Sequence, residues 1–122
     1  MTIHRLFIFI GILIICTACT SKEKAGEIAS TSPNEKNQVI ISGEKNSYFS
    51  PLSVSIRVQT QTRQDSLWVE IEQTEINKKT CLVDWLNNNE CIVTLYHRDM
   101  DRHTIHLQIV PKGIIIKQQQ SS

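Results

Sequence analysis

The chain has 122 residues, 40% of them hydrophobic, and carries 13 Lys and Arg against 12 Asp and Glu for a formal net charge of +1. A balance so near neutral lacks the concentrated positive field that nucleic acid or a generally anionic membrane surface selects, so neither is the expected partner. The length fits one domain with a modest core.

The chain opens with Arg5 in a short polar start, then the uncharged run LFIFIGILIIC from Leu6 to Cys16, then Thr17 and Ala18 before Cys19. A helix that spans a bilayer needs about 20 apolar residues, and this run is shorter. A basic start, an apolar core and a small-residue exit are the three parts of a secretory signal peptide. Residues 1–18 are therefore expected to be removed and are set aside from the fold. Cys16-Thr17-Ala18 suits ordinary signal peptidase, which would leave a secreted or periplasmic protein beginning at Cys19. The same residues resemble the lipobox of bacterial lipoproteins. Ala18 matches the small residue before the modified cysteine and Cys19 matches that cysteine, while Cys16 stands where Leu is usual. The resemblance covers this segment alone. It implies acylation of Cys19 and an anchor in the membrane and, because Thr20 rather than Asp follows, sorting to the outer membrane. Each buried CH₂ of an acyl chain would contribute ~0.8 kcal/mol to anchoring. Loss of Arg5 leaves the mature chain formally neutral.

Residues 19–37 read as the lipidated cysteine and a flexible linker, with three Lys, three Glu and little apolar beyond Ile28. Such composition does not offset its ordering entropy. From residue 38 to 117 the pattern changes to short apolar segments of alternating polarity. Strands are expected at 38–42, 52–62, 67–72, 81–86, 91–97, 103–110 and 114–117, with Tyr48 and Phe49 in an aromatic connection before Pro51. The clearest is 52–62, with Leu52, Val54, Ile56 and Val58 on one face and Ser53, Ser55, Arg57 and Gln59 on the other. Its apolar face meets that of Leu67, Val69 and Ile71 if Val58 stands opposite Ile71. About seven closely spaced strands predict an all-β fold, a small antiparallel β-sandwich or barrel. Residues 118–122 are expected to be a disordered tail.

Two constellations bear on chemistry. Cys81 and Cys91 are the cysteines of the mature body, and an oxidising envelope compartment favours a disulfide between them. A regular hairpin competes, because it would set Cys81 opposite Leu95 and Cys91 opposite Trp85. If the bridge forms, residues 82–90 become a clamped loop; a Trp85 exposed near its tip would be a recognition residue, whereas a core Trp85 beside a structural disulfide is the favoured reading. The second is His97-Arg98-Asp99-Met100-Asp101-Arg102-His103, where a turn centred on Met100 would set His97 across from His103. Two imidazoles and nearby carboxylates suit a transition metal, but a solvated hairpin tip is the better-supported reading and no metal or other cofactor is expected. No phosphate loop or nucleophile elbow occurs, and catalysis is not expected.

The sequence thus points to a membrane-anchored, non-enzymatic binding or accessory protein of the bacterial envelope, serving secretion or surface-structure assembly. Trp68, Trp85, Tyr48 and Phe49 are the candidate contacts for an envelope protein partner, by exposed aromatics or by edge-strand addition. An inhibitor or immunity protein directed at a cell-wall hydrolase or toxin is the alternative, and metal handling through His97 and His103 a third reading.

Overall fold

Strict alternation of apolar and polar residues builds the centre of the molecule. The structure, a computed structural model, describes residues 23–45 and 51–121. Among these residues eight strands are formed: β1 (Glu23–Thr31), β2 (Gln38–Lys45), β3 (Leu52–Gln59), β4 (Gln64–Ile71), β5 (Cys81–Asn87), β6 (Glu90–Tyr96), β7 (Arg102–Val110) and β8 (Gly113–Ser121). They make two antiparallel four-stranded sheets, of order β1-β2-β3-β4 and β5-β6-β7-β8. Each sheet is a meander of consecutive strands, and the two share one core as a small β-sandwich.

The inward positions fall at every second residue, as the pleat requires. Val39 and Ile41 on β2, Leu52, Val54, Ile56 and Val58 on β3, and Ile71 on β4 are buried in one sheet. Cys91, Val93 and Leu95 on β6 and Ile105 and Leu107 on β7 answer them from the other. Burying each large aliphatic side chain contributes about 1.5–3 kcal/mol relative to exposure.

Several expectations are corrected. Residues 23–31 form no linker: they are strand β1, which pairs with β2 through Ile28 opposite Ile41 and Ser30 opposite Val39. Composition hid this strand, because its inward face needs only Ala25 and Ile28, which pack against the core. The turn that follows is built of side chains as much as backbone. Ser32 Oγ donates to Asn34 Oδ1 at 2.7 Å and accepts from the Asn37 amide at 3.1 Å, and both Ser32 and Asn37 are buried. The carboxy-terminal residues are likewise ordered in β8, which pairs with β7 as far as His103 opposite Ser121.

Register also differs, always by an even step that keeps the faces in place. Ile71 stands opposite Leu52 and Val58 opposite Asp65. The chain turns earlier than expected because Thr60 closes the hairpin, its amide donating to the Arg63 carbonyl at 2.8 Å and its hydroxyl accepting from the Arg63 amide at 3.0 Å. Between β6 and β7, Leu95 rather than His97 stands opposite His103. Here the Met100 amide donates to the His97 carbonyl at 3.0 Å, Met100 has a φ of 70°, and the His97 amide donates to the Asp101 carbonyl at 2.8 Å. That is a three-residue hairpin loop with a left-handed final position, centred one residue before Met100.

One strap holds the two sheets in register. Residues 72–80 cross the end of the sandwich from β4 to β5, and Ile76 drops from the strap into the core. Its amide donates to the Ala25 carbonyl at 2.8 Å. Gly26, at a φ of 92° in the β1 bulge, makes room for the strap, since a β-carbon there would run into the Ile76 carbonyl oxygen.

Candidate functional site

The two sheets leave two flanks, and they are built differently. On the first, β1 and the β1–β2 turn are stapled at one end to β5 and the β5–β6 turn. The Trp85 indole Nε1 donates to Ser30 Oγ at 3.0 Å, and Asn37 Nδ2 donates to the Asn88 carbonyl at 2.7 Å and to Asn89 Oδ1 at 3.2 Å. The Asn34 amide donates to Asn88 Oδ1 at 2.9 Å. Trp85 therefore points inward and packs on the core as part of this closure.

On the second flank, β4 and β8 lie side by side with their outer backbone edges unpaired by any strand among the described residues. They meet closely at one end only. There the Arg63 guanidinium donates to the Pro111 carbonyl at 3.3 Å, and the Asp65 carboxylate lies against Gly113, at 2.8 Å from where a β-carbon would stand. From that pinned end the two strands run in the same direction, and a groove of about 570 Å³ lies along them. Leu67, Ile114 and Ile116 give it an apolar floor, with Asp65, Ser66 and Lys112 at its rim. Ile116 is 46% exposed, Ile115 47% and Trp68, on the outer face of β4, 59%. An open edge with apolar side chains at alternate positions can take a further strand, whose backbone bonds the free edge while every second side chain enters the groove.

Cys81 and Cys91 are free thiols, both buried, and no disulfide joins them. The regular β5–β6 hairpin explains this correction. Cys81 stands opposite Leu95 and Cys91 opposite Trp85, which places the sulfurs about 13 Å apart along the strands, against the ~7 Å Cα limit for a bridge. Burial pushes the Cys81 thiol up to about 12 and the Cys91 thiol to about 11, so neither presents a thiolate at neutral pH.

The histidines are tied into the scaffold. His97 Nδ1 accepts from the Glu72 amide at 3.0 Å, which fixes the hairpin tip to the strap. His103 Nε2 and Gln119 Nε2 are 2.7 Å apart, joining β7 to the end of β8. Burial, and then the nearby His97, hold the His103 pKa below its ordinary value. Among the described residues no three His, Cys, Asp or Glu come together as metal ligands. His106 Nε2 lies 2.9 Å from Glu90 Oε2, with Lys117 Nζ at 3.5 Å from the same oxygen, on the outer face of the second sheet. The His106 hydrogen bond lowers the Glu90 pKa against the opposing effect of burial, and Lys117 adds to the lowering.

Of the sequence-predicted contacts, Trp68 is exposed beside the groove, Trp85 is not, and Tyr48, Phe49 and Cys19 lie outside the described residues. The groove itself was not anticipated. Its signal is the run Ile114-Ile115-Ile116, apolar on both faces where a strand with one solvated face alternates. Comparison of the chain with protein-family models, with curated proteins and with solved structures gives no match.

Proposed function

We propose that this chain is a membrane-tethered, non-enzymatic binding protein of the bacterial envelope that serves secretion or surface-structure assembly, and that it engages a protein partner by strand addition at the β4/β8 flank. The open flank carries this reading. Its two edges start together at the Arg63–Pro111 contact and run the same way, so an added segment can be antiparallel to both, the pairing every ladder of this fold uses. Leu67, Ile114 and Ile116 would receive alternate apolar side chains of that segment, and Trp68 would cover it from the outer side. The anchor rests on the lipobox-like residues through Cys19.

Two measurements test the reading. Mass spectrometry of the mature amino terminus is expected to find an acylated Cys19; an unmodified Cys19 turns the tethered protein into a secreted or periplasmic one. Site-specific photo-cross-linking from Ile116 in envelope-bearing cells is expected to trap a defined partner through an extended segment, and Leu67→Asp to abolish that product. A product equally strong from Leu82, exposed on the outer face of β5, would overturn the assignment of the flank.

A further inference from the structure

The outer face of the first sheet carries a second surface, which shares Trp68 with the rim of the open flank. Its register sets outward side chains in rows that cross all four strands. One row is Glu27, Ser42, Ser55 and Trp68; the row beside it is Ala29, Ile40, Arg57 and Ser66. Arg57 and Trp68 are thus diagonal neighbours on adjacent strands, about 7–8 Å apart between backbones and within reach of one bound ring. Between Trp68 and β1 the row holds only serines, so a trough is left about 14 Å long, three strand spacings. At its far end lies a depression of about 280 Å³ lined by Lys24, Glu27, Ser42, Gly43 and Glu44, in which Lys24 and Glu27 pair at 3.5 Å.

Arg57 is the unusual member. It is half-buried, and its Nε is buried with no hydrogen-bond partner. No carboxylate faces it: its cross-strand neighbours are Ile40 and Ser66. A guanidinium in that position has a lost hydrogen bond to recover, and a carboxylate is the group that matches its fork. Trp68 beside it offers an exposed aromatic face, suited to the CH face of a pyranose ring, and the serines and Glu27 and Glu44 offer short hydroxyls and carboxylate acceptors suited to sugar hydroxyls. The charges are spread over the face, with Arg57 on one side of Trp68, Glu70 on its other side along β4, and Glu27 and Glu44 toward β1.

We infer that this face binds an acidic polysaccharide, with a uronate ring stacked on Trp68, its carboxylate on Arg57, and uncharged hydroxyl-rich units running over Ser55 and Ser42 toward Glu27. A homopolymer of uronates would meet Glu27 and Glu44 with like charge, so the sequence favoured is one in which uronates alternate with neutral sugars.

The test is calorimetric titration of the full chain, in a detergent without a sugar headgroup, with a tetrasaccharide of alternating uronate and N-acetylhexosamine and with its neutral N-acetylhexosamine counterpart. Binding of the acidic sugar in the range of ~0.1–1 mM is expected, with the neutral sugar at least tenfold weaker. Trp68→Ala is expected to weaken the acidic sugar at least tenfold, and Arg57→Gln to reduce it to the level of the neutral one. Both side chains are on the solvent face, and an unchanged thermal midpoint checks that the variants fold. The indole N–H resonances of the unaltered chain give a second readout, in which the acidic sugar shifts that of Trp68 and not that of Trp85. Equal affinity for the acidic and neutral sugars, undiminished binding by either variant, or no binding up to about 10 mM overturns the assignment.

Discussion

The two flanks are made from the same kind of edge strand and end in opposite conditions. At β1/β5 side-chain amides, a hydroxyl and an indole tie one end, with Trp85 turned inward to reach Ser30, and the strap amide of Ile76 holds Ala25 at the other. At β4/β8 the pinning is confined to one end, and aliphatic side chains stay in contact with water along the rest. An edge that a protein leaves open, flat and apolar invites pairing, and natural folds usually blunt such edges. The contrast teaches that tying a flank at both ends is within this sequence's means, so that a flank pinned at one end stands out beside it in the same molecule.

The comparison can be broken most sharply at the strap. Ile76→Ala removes a buried side chain that packs beside Gly43 and Leu52, and is expected to cost about 2–5 kcal/mol in urea unfolding. Hydrogen exchange should show β1 losing protection first, since its bulge is docked on the strap. Next comes the staple: Asn37→Ala deletes two hydrogen bonds at a buried position and is expected to cost about 1–3 kcal/mol. On the open flank, Trp68→Ala and Ile116→Ser should change stability by no more than about 0.5 kcal/mol, because neither side chain is buried. A loss as large as that of Asn37→Ala would mean the open flank is structural after all.

The smallest effect concerns pH. The folded-state pKa of His103 is held below its ordinary value of 6.5, so the unfolded chain binds its proton first as the solution is acidified. Stability is therefore expected to fall as pH drops below about 6.5 and to level off once the folded form also titrates. His103→Gln should flatten that part of the profile in urea midpoints measured from pH 8 to pH 5. The Glu90 pKa is lowered too, so its contribution is lost at more acid pH, as the solution passes through its folded-state value. Because His103 meets Gln119 near the carboxy-terminal end of β8, the same acidification should loosen the open flank before the stapled one.

Much of this fold could be read from alternation. The second sheet was legible almost strand for strand, since Cys91, Val93 and Leu95 and then Ile105 and Leu107 carry a strong period of two. Strand β1 was not, because polar composition outweighed a face that needs only Ala25 and Ile28. Register was legible only to its parity: the pleat fixes which face is buried, while the choice among even steps is made by the Thr60 turn and the left-handed Met100. The groove was invisible because it joins residues 65–67 to 110–116, and no local pattern reports which edges of two sheets will lie together. Arg57 was read as one more solvated residue of a wet face, and only the register shows that its neighbours leave it without an acid.

The meander topology has a consequence for how the protein comes into being. Every ladder joins neighbours in sequence, so residues 23–71 and 81–121 are two contiguous halves connected by the strap alone. Hairpins close fast because little chain entropy is spent before their contacts form. Each half then holds an apolar face that only the other half can cover, and during synthesis the first must wait for the second. Two nascent copies near one another could satisfy the same need by exchanging halves, which makes the reach of nine strap residues a guard on the monomer. The same division predicts that the chain, nicked within the strap, would stay together as a two-piece protein held by its shared core.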